Sequence, residues 1–365
     1  MNILFQFFRF VKDFRSKRGQ RYELHTILTI IFCAFCCGYS TYQDIYQFSQ
    51  ENAQFFTKYL KITSGKLPSY STIRRIIRGL DEEDFFSIFY PMIDSFYGCE
   101  DKEDYIAIDG KTLKGTMTNY GKDSQNTLNV VSAFSCEENL IIDYRSFEGK
   151  KTSEVTVVKE MIKQIPLINK VFTLDAAHCN KQTTQLIIDR LNDYLITVKK
   201  NQIKLFQELE LITEKEKYIS KYLKKDTSHG RQIIRFISVF DGQKIEHKNF
   251  QHVQSIIKIN RSGKRGKKEY EETVYYISSK KETAERFAEK IQSHWKIENM
   301  LHWVKDAIFK EDKRRIRCKN SQNKMSLITS IIINYLRIIG FESIKQGIDW
   351  FRKKWKILLL NPEII

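Results

Sequence analysis

Three acidic residues of this 365-residue chain stand at positions where a carboxylate can do chemistry. Asp109 follows the apolar run in YIAIDGK, and Asp175 follows the apolar run in VFTLDAAH. A carboxylate at the end of a buried strand costs free energy unless it is paired or bound to a metal ion. Two structural roles fit the same positions, because Asp-Gly is a common turn between strands and Asp is a common helix N-cap. Each aspartate taken alone therefore leaves a structural and a catalytic role open.

The third acid, Glu298, lies in SHWKIENMLHWVKDAIF, a segment with the apolar periodicity of an amphipathic helix. Its apolar stripe consists of Ile297, Leu301, Val304 and Ile308. Glu298, His302 and Lys305 occupy positions i, i+4 and i+7, so we predict that they share the adjacent face of the helix. If the stripe packs on a sheet, that face tilts towards the strand ends that carry Asp109 and Asp175.

A site formed by these three acids would be rich in oxygen ligands, which hard divalent cations prefer. Two Mg²⁺ ions about 3.5–4 Å apart, or Mn²⁺ ions in their place, can activate an attacking oxygen and stabilise a leaving oxygen in phosphodiester chemistry. A zinc site would instead need Cys and His residues at close spacing, and the sequence has no such arrangement. Asp306, Glu311 and Asp312 are rival third ligands, and Glu311 ranks below Glu298 because it lies past the helical stripe.

The elements that must position these acids change type near residue 101. Residues 1–100 have helical periodicity, whereas strand and helix patterns alternate from residue 101 onwards. Strands are predicted in DYIAIDGKTLKGT, with a Gly-bearing turn after Asp109, and in NTLNVVSAFSCEENLIIDYRSFEG, KVFTL, DYLITV and VYYISS. Helices are predicted in SEVTVVKEMIKQI, NKQTTQLIIDRL, TAERFAEKIQSHWKIENMLHWVKDAIF and NKMSLITSIIINYLRIIGF. This order predicts an α/β fold with a mixed sheet.

A short helix is predicted after Pro68, with Ser69 or Ser71 as its N-cap. Its apolar face carries Ile73, Ile76, Ile77 and Leu80. Arg74 and Arg75 fall on the opposite face. A capped helix with exposed arginines fits a helix-turn-helix DNA reader, and it fits an ordinary helical bundle equally well.

The charge of the chain indicates a polyanionic partner. Lys and Arg number 61 and Asp and Glu 44, which gives a net charge of +17. The excess is clustered near residues 12–21, 261–268, 313–319 and 352–356. Nucleic acid is the first candidate for such a surface, and a basic surface that serves solubility is the alternative.

The cysteines and apolar runs bear on the cellular compartment. Seven cysteines occur without the spacing of a disulfide scaffold, which favours a reducing compartment. Cys33, Cys36 and Cys37 lie in the apolar run ILTIIFCAFCCGY and are predicted to be buried on a core helix. That run, residues 27–39, is too short to cross a bilayer as a helix. We therefore expect a cytoplasmic protein that acts at the nucleoid and not at a membrane.

Four segments, in this order, resemble the H repeat-associated family of bacterial insertion-sequence transposases. They are YIAIDGKTLKGT, LDAAHCNKQTTQLIIDRLNDYLITVKKNQ, YYISS and HWKIENMLHWVKDAIFKEDKRRIR. The N-terminal segment DFRSKRGQRYELHTIL…PSYSTIRRIIRGL resembles the accessory domain that precedes the catalytic core of these proteins. The resemblance implies a ribonuclease H-like core with an Asp-Asp-Glu triad. Motif by motif, the triad falls on Asp109, Asp175 and Glu298.

The resemblance also implies a division of the chain into parts. Residues 1–100 would form a helical accessory and DNA-binding domain. Residues 101–345 would form the catalytic domain, with a β-rich insertion at about 202–272. Residues 346–365 would form a basic tail.

Several residues beside the acids are candidate DNA contacts. Related transposases place a lysine seven residues after the glutamate, which implies a DNA contact for Lys305. The remaining candidates are Lys111, Lys114, His178, Lys181, His302, Arg74 and Arg75. A local structural role is open for His178 and Lys181, and His302 could instead brace Glu298. Trp295 and Trp303 are packing residues or stack on a displaced base.

We therefore expect a DNA transposase that cleaves element ends with metal-activated water and joins the freed 3′-hydroxyl to target DNA. Bringing two ends together implies at least a dimer on DNA. One alternative is a transposase-derived DNA-binding protein that has lost its chemistry. A second alternative is a ribonuclease H-like nuclease that cuts DNA without joining strands.

Overall fold

A mixed nine-stranded sheet forms the centre of the structure, a computed structural model of the protein. The structure describes residues 8–87, 91, 93, 103–118, 126–227, 233–250, 252–265, 268–314, 316 and 318–360. In these residues the strands are β1 (Tyr105–Thr118), β2 (Asn126–Ser135), β3 (Ile141–Glu148), β4 (Val171–Leu174), β5 (Asp193–Val198), β6 (Ser220–Asp226), β7 (Ile233–Asp241), β8 (Ser255–Arg265) and β9 (Lys268–Ser278). They lie in the order β3-β2-β1-β4-β5-β9-β8-β7-β6. The pairs β1–β4 and β4–β5 are parallel and the others are antiparallel, which confirms the predicted mixed α/β fold.

Helices precede the sheet, connect its strands and follow it. The α-helices are α1 (Leu24–Cys36), α2 (Tyr42–Glu51), α3 (Ala53–Tyr59), α4 (Tyr70–Gly79), α5 (Glu82–Ser87), α6 (Glu154–Gln164), α7 (Lys181–Asp189), α8 (Ile203–Lys215), α9 (Ala284–His294), α10 (Lys319–Ile338), α11 (Ile344–Lys354) and α12 (Ile357–Leu360). Within the described part of the chain, no helix combines the length and apolar character that crossing a membrane requires.

Two apolar cores lie on opposite faces of the sheet. Side chains alternate between the faces of a strand, so Tyr105 and Ala107 of β1 enter one core while Ile106 and Ile108 enter the other. The first core is shared with α1, α4, α9, α10 and α11. The second is shared with α6, α7 and α8. The sheet therefore holds the N-terminal helices, α9 and α10 on the face of Ala107.

Helix α1 is a central helix of the first core. Cys33, Cys36 and Cys37 are fully buried, which confirms their predicted place on a core helix. Phe32 meets Tyr335 of α10 edge to face at 5.2 Å between ring centroids. A helix that is apolar on all sides needs such neighbours all round, and α10 supplies one of them.

Helix α4 forms as predicted from its N-cap and apolar spacing. The Ser69 hydroxyl accepts a hydrogen bond from the Thr72 N–H at 3.3 Å. The side chains of Ile73, Ile76, Ile77 and Leu80 are buried. Arg74 and Arg75 are exposed on the opposite face. A role of this face in reading DNA stays a prediction.

Strand β1 differs from the prediction, because no turn follows Asp109. The strand continues through Gly110, and its pairing with β2 extends to Leu113 opposite Leu128. The region predicted as a β-rich insertion contains α8, the strands β6, β7 and β8 and the first residues of β9, and β9 joins the other three strands to β5 in the same sheet. The proposed domain boundaries stay predictions. Cys99, Lys267, Arg315 and Arg317 lie outside the described residues.

Candidate metal centre

Asp109 and Asp175 are carried by β1 and by the end of β4, two neighbouring parallel strands of the sheet. Ala107 pairs with Thr173 in this parallel ladder, Asp109 lies two residues further along β1, and Asp175 directly follows Leu174, the last residue of β4. Residues two apart on a strand share a face, so Asp109 follows the face of Ala107. Asp175 stands at the carboxyl end of β4, where open α/β sheets bind their ligands, and Asp109 lies within β1 just beyond the residues that pair with β4.

Helix α9 packs on this face of the sheet, and His294 is its last residue. Its Nδ1 and the Thr173 hydroxyl share a hydrogen bond of 2.7 Å, which joins the end of α9 to β4. Burial lowers the pKa of His294 to about 4, against the opposing charge of Asp175. His294 is therefore neutral at pH 7 and anchors the helix to the sheet.

Beyond α9 the chain winds as a π-helix, in segments Ile297–His302 and Val304–Ile308. Ile297 and Leu301 are buried beneath it, as the predicted stripe requires. Glu298 and His302 then face Asp109. Each of these three residues offers one ligand atom, and the three atoms lie within 4.8 Å of one another.

Asp109 is half-buried, and the exposed carboxylate of Glu298 beside it repels its negative charge. Burial and then the charge of Glu298 raise the pKa of Asp109 to about 7, although the Gly110 N–H acts in the opposite direction. A divalent cation held between two such carboxylates offsets both the desolvation and the repulsion.

His302 completes the group as a neutral imidazole. The residue is 6% exposed. Burial, followed by the charges of Lys305 and Lys111, lowers its pKa to about 3. Its Nε2 has no hydrogen-bond partner among the described residues. An unprotonated ring nitrogen of this kind can bind a metal ion, so two carboxylates and one imidazole fit a divalent cation. Sequence reasoning placed His302 beside Glu298 and did not count it among the candidate metal ligands.

Asp175 lies outside this three-residue group. Its side chain is about half exposed, and Oδ1 accepts a hydrogen bond from the Ala177 N–H at 2.9 Å. This bond caps the single 3₁₀ turn Ala176–His178. His178 Nε2 lies 3.7 Å from the same oxygen. The second oxygen remains available, and a metal-binding role for Asp175 stays a prediction.

The prediction that Lys305 shares the face of Glu298 is wrong. Glu298 is exposed, whereas Lys305 is 2% exposed and donates a hydrogen bond to Ser326 Oγ at 3.1 Å. The prediction assumed 3.6 residues per turn, but the i→i+5 bonds of a π-helix take in more residues per turn. Over seven residues this wider winding turns Lys305 into the core, where DNA does not reach it.

Lys305 joins a buried ion network behind the candidate metal centre. The Lys111 ammonium pairs with Asp306 and lies 3.1 Å from Glu311 Oε2. Arg314 donates a hydrogen bond to Thr329 at 3.0 Å. Glu311 is fully buried, so the rival role of third ligand does not suit it. The network connects β1 to the π-helix and to α10.

The other candidate DNA contacts fall into two groups. Four of them are exposed, namely Lys114, Lys181, Arg74 and Arg75. Lys111, His178 and His302 are mostly or fully covered by protein, because each contributes to an ion pair or to the acidic group.

Trp295 and Trp303 are exposed, by 56% and 59% of their surface. The packing role considered for them is therefore wrong. They flank Glu298 on the same helical segment, with large apolar rings that face solvent beside the acids.

Two family models match this chain one after the other. Residues 5–92 match a family described as "DDE_Tnp_1-associated". Residues 100–335, which include all three predicted acids, match a family described as "Transposase DDE domain".

Curated bacterial proteins are similar over most of both chains. "Putative protein YbfL" of Escherichia coli (strain K12) is 33% identical over 316 residues, 82% of this chain and 81% of that protein. "Putative transposase YncI" of Escherichia coli O157:H7 is 32% identical over 327 residues, 87% of this chain and 82% of that protein. "H repeat-associated putative transposase YhhI" of strain K12 is 32% identical over 316 residues, 82% of this chain and 81% of that protein. The chain therefore belongs to the H repeat-associated transposases, a family with the transposase DDE domain.

Proposed function

We propose that this protein is a DNA transposase that cleaves phosphodiester bonds at the ends of an insertion sequence and joins the freed 3′-hydroxyl to target DNA. The observation that carries the proposal is the meeting of Asp109, Glu298 and His302, which come from elements far apart in the sequence. The family supports the same enzyme class, and it implies a divalent metal ion and DNA as the partner.

Asp109, Asp175 and Glu298 are the proposed catalytic acids, with Mg²⁺ as the proposed metal, two ions in number, and Mn²⁺ as a substitute. A divalent cation bound there supplies Lewis-acid stabilisation of charge on the phosphate oxygens. The chain's own part is to hold the carboxylate oxygens in place. Strand β1 carries Asp109, and the buried Ile297 and Leu301 anchor the segment that brings Glu298 near it.

The exposed basic residues supply the proposed phosphate contacts. Lys114 continues β1 beyond Asp109, and Lys181 begins α7 shortly after Asp175. Arg74 and Arg75 extend the basic surface to the N-terminal helices. Contacts of this kind position DNA and do not read its sequence. Because transposition brings two ends together, we also propose at least a dimer on DNA, located at the nucleoid.

The proposed reaction is tested with DNA that carries the inverted repeats bracketing this reading frame. That DNA is incubated with the full chain, a target plasmid, and Mg²⁺ or Mn²⁺. We expect nicks at the repeat ends and a covalently joined product. Cutting without a joined product would indicate a ribonuclease H-like nuclease. Binding without any cutting would indicate a transposase-derived DNA-binding protein that has lost its chemistry.

Trp295 and Trp303 are expected to stack on DNA bases near the acids. Replacing either by Ala should weaken binding of an end fragment by about 1–3 kcal/mol for each base that loses its stacking partner. The thermal midpoint should stay unchanged, because both rings are exposed. Fluorescence anisotropy at one fixed salt concentration measures the effect.

Ile168→Ala provides the matched control for loss of an exposed apolar side chain, since Ile168 precedes β4 at the end opposite Asp175. Base stacking is contradicted if both Trp variants bind the fragment as tightly as the Ile168→Ala variant does.

A further inference from the structure

We propose that Glu154 supplies a fourth carboxylate to the metal centre and that His178 holds it there. The inference rests on the proposed function, since it extends the same site. Glu154 is the first residue of α6, so neither the strand-end pattern nor the helix of Glu298 points to it in the sequence.

The capping of α6 fixes where Glu154 begins. The Ser153 side chain accepts a hydrogen bond from the Thr156 N–H at 3.2 Å, which ends the preceding loop and starts the helix. Carboxylates are favourable in the first turn of a helix, so the position alone has an ordinary explanation. An acid with only that role would point into solvent. Glu154 instead points at β1.

The Glu154 carboxylate lies very close to β1, at the position of Gly110. A Cβ atom added to Gly110 would lie 2.1 Å from Glu154 Oε2 and 2.5 Å from its Cδ. The carboxylate therefore occupies the space that any other residue at position 110 would fill. Asp109 directly precedes Gly110 on β1, so the Glu154 carboxylate lies against the backbone next to Asp109.

His178 connects Glu154 to the second aspartate. Its Nε2 lies 3.2 Å from Glu154 Oε1 and 3.7 Å from Asp175 Oδ1. The imidazole is almost fully buried, so its orientation is fixed by packing. His178 Nε2 thus shares a hydrogen bond with Glu154 and lies near Asp175, while Glu154 Oε2 stays against Gly110, the residue that follows Asp109.

A second observation, at His302, indicates that the group of acids around Asp109 binds a ligand. His302 is buried, and its Nε2 has no hydrogen-bond partner among the described residues, although the ring stands in the acidic group. Glu154 remains 38% exposed at its side chain, so a cation in solvent can reach it. We read Glu154 as a residue that contacts the metal and His178 as a positioning residue.

The test measures Mn²⁺ binding to the full chain by isothermal titration calorimetry, without DNA. Glu154→Gln should weaken Mn²⁺ binding roughly 10–100-fold, the range in which loss of a supporting group lowers metal affinity. Glu160→Gln removes a charge from an exposed position of the same helix and should bind like the wild type. Equal affinities of the Glu154→Gln and Glu160→Gln variants would overturn the inference.

Gly110→Ala provides a second, independent variant. Its methyl group should push the Glu154 carboxylate away from β1 and weaken Mn²⁺ binding as Glu154→Gln does. The Gly110→Ala/Glu154→Gln double variant should bind no more weakly than either single variant, because both act through one carboxylate. Additive losses would show that Gly110→Ala disturbs Asp109 directly, and they would contradict the inference.

Asp109→Asn separates this inference from the proposed function. If Asp109→Asn binds Mn²⁺ like the wild type, the metal centre itself is wrong. If Asp109→Asn loses Mn²⁺ while Glu154→Gln keeps it, only the role of Glu154 fails.

Discussion

Asp109→Asn is expected to lower the rate of cleavage roughly a thousandfold or more, because metal-assisted charge stabilisation supplies several kcal/mol and each 1.36 kcal/mol is tenfold in rate. Asn keeps the size and the strand pairing of Asp109 opposite Ser132, but it removes the negative charge that faces Glu298. DNA affinity should stay unchanged. A gel assay of nicking and an anisotropy titration on the same DNA measure the two effects separately.

The folded protein should become more stable in this variant when a chelator keeps divalent metal away. Burial and Glu298 raise the pKa of Asp109 from 3.8 to about 7. Ionising a carboxyl whose folded pKa is raised costs stability, and the loss grows as the pH rises from 3.8 to 7. Asn has no such loss, so the two urea midpoints should separate over that pH window.

Asp189→Asn is the matched control, because Asp189 ends α7 on an exposed surface and pairs only with Gln185 among the bonds described. It should cleave like the wild type. Full cleavage by Asp109→Asn would remove Asp109 from the catalytic acids.

Glu311→Gln is expected to cost about 3–5 kcal/mol of the free energy of unfolding, the usual effect of removing one partner from a buried ion pair. Burial raises the pKa of Glu311, but Lys305, Lys111 and Arg314 outweigh it and lower the value to about 2. Burial lowers the pKa of Lys305 to about 8 even though Glu311 opposes it. The pKa of Glu311 and the pKa of Lys305 shift by unequal amounts, because the single buried Glu311 carboxylate interacts with three cations. Gln would leave those cations without their shared counter-charge.

The loss of stability caused by Glu311→Gln should become smaller as the pH falls. The pKa of Glu311 is depressed from 4.5 to about 2, so its contribution is complete above pH 4.5 and is lost as the pH falls towards 2. The difference in unfolding free energy between the wild type and Glu311→Gln should therefore shrink over that window. Urea denaturation followed by circular dichroism measures it.

Glu160→Gln again supplies the control, since Glu160 is exposed and pairs only with Lys163 among the ion pairs described. Its urea midpoint should match the wild type at every pH. A Glu311→Gln midpoint equal to that of the control at pH 7 would show that the buried network contributes nothing to stability.

Local patterns predicted much of this molecule because they depend on neighbours in the chain. The cap at Ser69 and the apolar spacing of Ile73, Ile76 and Ile77 were sufficient to predict α4. The apolar runs before Asp109 and Asp175 predicted two buried strands, and these strands pair in parallel as neighbours in the sheet.

The same local reasoning failed where the geometry departs from a regular helix or turn. A π-helical winding carries Lys305 away from Glu298, and no residue in the segment signals that winding in advance. Pairing with β2 carries β1 straight through an Asp-Gly sequence that favours a turn elsewhere. The exposure of Trp303 depends on the absence of an element above it in the described structure, which its own segment does not reveal.

The sequence by itself determined which side chains were available for chemistry and which element carried each of them. It supplied the acids, the basic surface and the family motifs. Only the tertiary structure decided that Glu298 and His302 meet Asp109, that Glu154 approaches through the gap at Gly110, and that Glu311 is a buried ion partner. The physical reason is that secondary structure follows from neighbouring residues, whereas burial and ligand geometry follow from the packing of elements that are distant in the chain.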